Sequence, residues 1–208
     1  MKLDVKNIKI LQQADLDPRI TTSKLGKQVR LSQQVADYRL KRLQENNVIT
    51  SFATIINLAK IGYEQYRILF QLASVSEDVK NNIINYLKNH EKVYWAAIVG
   101  GKWDLFVVVW VQNYDDLENF LDELFNKFPK ALKDYEALYT IHHEFYRHNY
   151  LFDKKQFFDA IKINTATAKP VIKIDKTNFC ILYNIKSSCR KSRLEVGKLC
   201  KVSYKTVQ

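Results

Sequence analysis

Between Leu31 and Leu43 the chain reads Leu-Ser-Gln-Gln-Val-Ala-Asp-Tyr-Arg-Leu-Lys-Arg-Leu. The amides Gln33 and Gln34 precede Asp37, Tyr38 and Lys41 at helical spacing, with Arg39 and Arg42 beside them and Arg30 just upstream. This set suits hydrogen bonding to a polyanion rather than bond breaking. In a DNA major groove Gln can pair with adenine, while Lys and Arg can pair with guanine or with phosphate. Gln33, Gln34, Tyr38 and Lys41 are therefore expected at base edges. Arg30, Arg39 and Arg42 are expected on phosphates, setting register without reading sequence. Asp37 adds a negative charge to the same face, where it either reads a cytosine amino group or weakens phosphate contact.

A helix must carry these residues. Ser32 is a good N-cap, because its hydroxyl can accept from a free backbone N–H one turn in, and it joins the DNA-facing set. Val35, Leu40 and Leu43 fall on the opposite face and are expected to point inward. Upstream, Leu3 to Asp15 reads as a first helix with Asp4 as its cap and Ile8, Leu11 and Ala14 as its stripe. Asp17-Pro18 breaks it. Thr21 or Thr22 caps a second helix through Val29, with Leu25 and Val29 inward, and Arg30-Leu31 makes the turn. Three short helices, the last two joined tightly, predict a helix-turn-helix over residues 1–47.

Val48 to Leu58 is rich in β-branched residues and predicts a strand-like hinge over 48–62. Beyond it the pattern alternates. Strands are expected at Tyr66–Ala73, Val93–Val99, Asp104–Val111 and Leu138–Glu144, and helices at Val79–Asn89 and Leu117–Phe128. This β-α-β-β-α-β order is the ferredoxin-like arrangement, placed at residues 63–145. The third strand, Leu-Phe-Val-Val-Val-Trp-Val, is apolar on both faces. One face can meet the helices and the other needs a second cover, so a homodimer through this sheet is expected. Gly100-Gly101-Lys102-Trp103-Asp104 joins strands two and three. Paired glycines allow a tight hairpin and also let a small ligand approach the backbone.

The net charge is +11, and it is segregated. Residues 1–60 hold 11 Lys and Arg against 5 acids, residues 61–142 hold 8 against 12, and residues 143–208 hold 14 against 5. A basic–acidic–basic chain fits two polyanion-binding ends on a middle that need not touch DNA. No apolar run approaches the roughly 18 residues that span a bilayer, and the N-terminus does not read as a signal peptide. A cytoplasmic, nucleoid-associated protein without a membrane partner is expected. Cys180, Cys189 and Cys200 match no zinc-knuckle spacing and are expected as buried thiols. No Ser-His-Asp set, paired carboxylates, P-loop or GxGxxG is evident, so neither catalysis nor a metal is expected.

Residues 146–172 read as a linker. After it, Ile174-Asp-Lys-Thr-Asn-Phe-Cys-Ile-Leu182 mirrors Leu3-Asp-Val-Lys-Asn-Ile-Lys-Ile-Leu11. Arg190 falls where Arg19 does, Gly197-Lys198 where Gly26-Lys27 do, and Ser203 where Ser32 does, without a gap. Residues 173–208 are thus expected to begin a second helix-turn-helix, which stops about one turn into its recognition helix.

Leu3-Asp4 with Ile10-Leu11, Arg19, Leu25, Leu31-Ser32, Arg39-Leu40-Lys41-Arg42-Leu43 and Val48-Ile49 together resemble the Lrp/AsnC family of feast/famine transcriptional regulators. The Val99-Gly100-Gly101-Lys102-Trp103-Asp104-Leu105 hairpin resembles the turn of that family's ligand-sensing domain. The resemblance covers nearly all of residues 3–142. It implies an α+β chain in which a β hinge joins a winged or simple helix-turn-helix to an αβ sandwich that forms a dimer or a higher assembly. It also implies double-stranded DNA as partner and a small effector, usually an amino acid, near Gly100, Gly101 and Asp104, with no other cofactor. Arg39 falls on the family's recognition-helix arginine. Pro18, Asp37 and the tandem C-terminal copy depart from the family pattern. Two rival readings remain: a sirohaem-decarboxylase-like enzyme on the same fold, suggested by His142, His143, Arg147 and His148, and an architectural DNA-compacting protein without effector.

Overall fold

A computed structural model describes residues 2–152, 159–164, 172–186 and 188–207. The chain forms two compact units, one of residues 1–56, 145–161 and 174–208, the other of residues 57–144 and 162–173.

The first unit opens with α1 (Val5–Leu16), α2 (Thr22–Val29) and α3 (Gln33–Glu45). Each starts where a side-chain oxygen accepts from a backbone amide otherwise left without a partner: Asp4 from Asn7, Thr21 from Lys24, Ser32 from Val35. Arg30 turns the chain in the left-handed region, at φ 55°, a conformation uncommon for a residue with a Cβ. The turn is tight enough that a Cβ at Gly26 would sit 2.8 Å from the Leu31 carbonyl oxygen. Only glycine fits that approach without a backbone shift. Ile10, Ala14, Leu25 and Val29 pack on Ala36, Leu40 and Leu43, all buried. Ala36, rather than the expected Val35, is the inward residue of the first turn of α3, and Val35 is 41% exposed. An alanine there lets α3 approach α1 and α2 closely, which a branched side chain would prevent.

Arg39 completes this packing. Its guanidinium donates to Asp4 Oδ2 at 2.7 Å and to Asn7 Oδ1 at 3.0 Å. Asn7 is 4% exposed, so this bond also satisfies a buried amide oxygen.

The second unit contains β1 (Glu64–Leu72), α4 (Glu77–Asn89), β2 (Val93–Ile98), β3 (Leu105–Val111), α5 (Tyr114–Lys127) and β4 (Leu132–Tyr139). The sheet order is β2-β3-β1-β4, with every pairing antiparallel, the ferredoxin-like arrangement. Ile68, Phe70, Val107 and Val109 on one face meet Ile83, Leu87, Phe120 and Leu124 of the helices. The last strand lies earlier than its expected place at 138–144. Leu-Lys-Asp-Tyr-Glu-Ala-Leu-Tyr is an edge strand with only Leu132 buried, so it has no apolar alternation to announce it. His142–Phe145 forms a separate strand, β5, paired with β6 (Ile161–Asn164). The expected linker at 146–172 therefore holds a strand, and its residues 153–158 and 165–171 lie outside the described residues.

The expected β hinge at 48–62 forms no regular strand. Phe52 makes a single bridge to Ser188, and a 3-10 turn spans Leu58–Ile61. β-branched residues favour extended chain, but a strand also needs a continuous partner. The C-terminal segment contributes α6 (Lys176–Lys186) and α7 (Arg193–Cys200) to the first unit. Cys180 and Cys200 are joined in a disulfide, contrary to the expected thiols, because the crossing of α6 and α7 brings their Cα atoms to 5.8 Å. Cys189 is a buried thiol.

The Arg39 hydrogen bond holds the Asp4 carboxyl below its ordinary 3.8. A depressed folded value contributes stability that is present above 3.8 and lost as pH falls through the lower folded value. Asp4→Asn keeps a capping oxygen but removes the charge. It is expected to lower the thermal midpoint by a few degrees at neutral pH and to leave it unchanged in acid below the folded value. Thermal unfolding followed by circular dichroism across that range checks this; an equal loss at both ends would assign Asp4 to packing alone.

Candidate nucleic-acid interface

The cap at Ser32 and the apolar triad Ala36, Leu40 and Leu43 set which side of α3 faces solvent. Gln33, Gln34, Tyr38, Lys41 and Arg42 are all exposed, Tyr38 at 60%. Gln34, Tyr38, Lys41 and Arg42 form one stripe directly opposite the buried side. Arg42 leans along the Tyr38 ring, with its guanidinium carbon 5.9 Å from the ring centroid. That contact lines up an aromatic face and a cation, a combination able to touch both sugar and phosphate.

Asp37 and Arg39 sit at the two margins of this stripe. Asp37 pairs with Lys41 at 2.9 Å, and its hydrogen bond raises the Lys41 proton affinity. The pair is solvated, so the lysine can exchange its partner for a phosphate or a base acceptor without uncovering a buried charge. Arg39, expected on phosphate, donates to Asp4 and Asn7 and links α3 to the start of α1. Arg30 remains exposed at the head of the turn. Ser32 spends its hydroxyl on the Val35 amide, 3.3 Å away. Val35 is the residue that sequence reasoning misplaced. Exposed beside Gln34, it offers an apolar surface suited to a thymine methyl group. Its signal was the neighbouring Ala36, the better inward residue for a closely packed turn.

The expected effector residues lie in the second unit. Gly100 and Gly101 are exposed at the β2–β3 turn, where Gly101 has φ +102° and nothing lies within 4 Å of the Cβ either glycine lacks. Lys102 caps the turn from above, its ammonium 4.2 Å from the Trp103 ring centroid. Asp104 does not join this open surface. Its Oδ2 accepts from the Leu72 amide at 2.8 Å, and its carbonyl accepts from Val99 at 2.9 Å, so it ties the turn to the sheet.

His142 meets Glu144 at 3.0 Å and His143 meets Gln65 at 3.2 Å in the second unit. Burial lowers the proton affinity of His143, with Arg67 and His142 adding to the effect. In the first unit Arg147 donates to the Asp15 carbonyl at 2.6 Å, and His148 meets the Asp15 carboxylate. Each group has its own structural partner.

Residues 3–50 match the family model described as winged helix-turn-helix DNA-binding. The chain is 28% identical over 120 residues to the transcriptional regulator FL11 of Pyrococcus furiosus, covering 58% of this chain and 76% of that one. It is 30% identical over 124 residues to a helix-turn-helix-type transcriptional regulator of Pyrococcus horikoshii, covering 59% and 77%. Among solved structures, an AsnC family transcriptional regulator from Agrobacterium tumefaciens superposes with a TM-score of 0.62 at 18% identity, over 70% of this chain and 95% of that one. A Neisseria meningitidis transcriptional regulator in complex with L-Met gives 0.59 at 19%, over 67% and 90%. The fold, the helix-turn-helix and these relatives agree: the chain belongs to the Lrp/AsnC family of transcriptional regulators.

Proposed function

We propose that this regulator reads its operator with the exposed stripe of α3: Gln33, Gln34, Val35, Tyr38 and Lys41 at base edges, and Arg30 and Arg42 on phosphates. The observation that carries this reading is the stripe itself, in which amides and cations face solvent opposite a tightly packed apolar side. Arg39 acts at one remove, as the group that sets the rotation of α3. The protein works in the cytoplasm, on the chromosome.

A binding titration on the DNA upstream of the protein's own gene, against a scrambled duplex at two salt concentrations, tests this. Gln34→Ala is expected to lose about 1–3 kcal/mol of discrimination at one base pair. Lys41→Ala is expected to relax discrimination at its own base pair, while Arg42→Ala is expected to lower the slope of log K against log salt by about 1. Equal, steeply salt-sensitive binding to both duplexes would favour the architectural reading, and no binding to either would overturn the DNA reading altogether.

A small effector of amino-acid type binds at the exposed Gly100-Gly101 turn, where its charged ends can reach backbone groups. The L-Met complex of the Neisseria meningitidis neighbour supports this, as does the open space over both glycines. Adding each of the common amino acids to the same titration is expected to shift the midpoint for at least one of them. No shift with any would remove the effector from the proposal.

The face of the sheet away from the helices carries Trp95, Phe106, Leu69 and Leu138. Trp95 is 49% and Leu138 45% exposed, and the Trp95 and Phe106 rings stack edge to face at 5.4 Å. A second copy of this face is its natural cover, giving a homodimer. Trp95→Asp together with Leu138→Asp is expected to convert a dimer to a monomer in analytical ultracentrifugation while retaining the circular dichroism spectrum; a variant that stays dimeric would place the interface elsewhere.

A further inference from the structure

The segment that ends the chain repeats the first reader in detail. α7 begins at Arg193 and ends at Cys200, each 171 residues beyond the limits of α2 at Thr22 and Val29. Asp175 accepts from the Asn178 amide at 2.7 Å, as Asp4 accepts from Asn7 at 2.7 Å. Ser192 caps α7 as Thr21 caps α2. Lys201 turns the chain at φ 55°, the angle Arg30 adopts. A Cβ at Gly197 would lie 2.9 Å from the Val202 carbonyl oxygen, matching 2.8 Å between Gly26 and Leu31. Ser203 then accepts from the Thr206 amide at 3.2 Å, as Ser32 accepts from Val35 at 3.3 Å. The chain makes the same turn and then enters a hydrogen-bonded turn at the place where α3 begins in the first copy.

Charge gives the copy a partner. Residues 172–208 hold nine Lys and Arg against two acids. Both acids are spent on local amides, Asp175 on Asn178 and Glu195 on Ser192. Arg193, Lys198, Lys201 and Lys205 are exposed, and Tyr204 is 55% exposed. Tyr204 and Lys205 stand where Gln33 and Gln34 stand in the first reader, and Lys201 stands where Arg30 does.

The copy is also fastened to the first reader. Arg190 donates from Nε to the Pro18 carbonyl at 2.6 Å and from Nη2 to Ile20 at 3.4 Å, with its guanidinium 4.0 Å from the Phe52 ring centroid. The Cys189 amide donates to the Phe52 carbonyl at 2.7 Å, and Thr54 Oγ1 donates to the Ile185 carbonyl at 2.9 Å. Cys189 and Phe52 join the buried cluster of α1, α2 and α3.

We propose that residues 172–207 are a second DNA-contacting surface, fixed to the first by Arg190, so that one chain holds two neighbouring stretches of a duplex. Arg193, Lys201 and Lys205 take phosphates, and Tyr204 lies against the groove edge. The proposal rests on the DNA reading given above and adds a second contact to it.

The test compares the full chain with its Arg193→Gln, Lys201→Gln, Lys205→Gln variant on an operator-length duplex. Measured are the slope of log K against log salt and the hydroxyl-radical footprint. Each phosphate contact contributes about 0.9 to that slope, so the triple variant is expected to have a slope smaller by up to about 3. A patch of protection flanking the main site is expected to vanish, while base preference at the main site is kept. A triple variant with the wild-type slope and footprint overturns the second surface, leaves the first reader standing, and points to a protein partner for the charge. Should the triple variant unfold, Lys205→Gln alone decides by a slope change of about 1 or none. Failure of the wild-type chain to bind any duplex removes both readings together.

Discussion

The rotation of α3 about its own axis governs what this protein can offer to DNA. Three buried residues, Ala36, Leu40 and Leu43, press one side of the helix onto α1 and α2, and Arg39 pins its flank to Asp4 and Asn7. A turn of about 100° separates successive residues on a helix. An error of one position would therefore bury Gln34 or expose Leu40. Packing supplies the energy of this arrangement, but it tolerates some sliding between smooth apolar surfaces. The bonds from one guanidinium to Asp4, the cap of α1, and to the buried Asn7 add a directional tie at that flank.

The same economy shapes the second unit. Its helices begin with acids at their positive ends, Glu77 and Asp78 in α4 and Asp115 and Asp116 in α5, which favours the helix dipole. These acids are among the 12 that outnumber the 8 Lys and Arg of residues 61–142. The basic excess lies instead in residues 1–60 and 143–208, where it favours a polyanion. The strongly apolar β3 serves both faces of its sheet, one closed by α4 and α5 and the other left to Trp95, Phe106 and their neighbours.

The C-terminal helices show how a duplicated element is kept by its surroundings. A helix pair of this size buries too little apolar surface to order itself well. Here a disulfide ties α6 to α7, and Phe52, Thr54 and the α1–α2 turn supply partners for Ile185, Lys186, Cys189 and Arg190. Burial disfavours the charged state of Arg190, and Cys189, Asp17 and Asp37 oppose that effect. Asp37, which looks out of place on a DNA-facing helix, thus lies within electrostatic reach of the residue that fastens the copy.

Much of this was legible in the sequence because it is local. Caps at Asp4, Thr21 and Ser32, the helical period of the stripes, the doubly apolar β3 and the constant register of the repeat all depend on neighbours within a turn or a strand. What lay beyond the sequence depends on partners far along the chain. Whether Val35 or Ala36 turns inward is decided by how closely α3 can approach two other helices. The partners of Arg39 and Asp104 are also set at a distance, since the fold brings Asp4, Asn7 and the Leu72 amide to them. Leu132–Tyr139 becomes a strand because β1 offers it an edge, though its side chains carry no alternation. The extended run after Val48 finds only one bridging residue, and two cysteines twenty residues apart meet only because α6 and α7 cross. Local chemistry determines the helices and their caps; the approach of distant surfaces decides which extended runs become strands and which face of each element stays exposed.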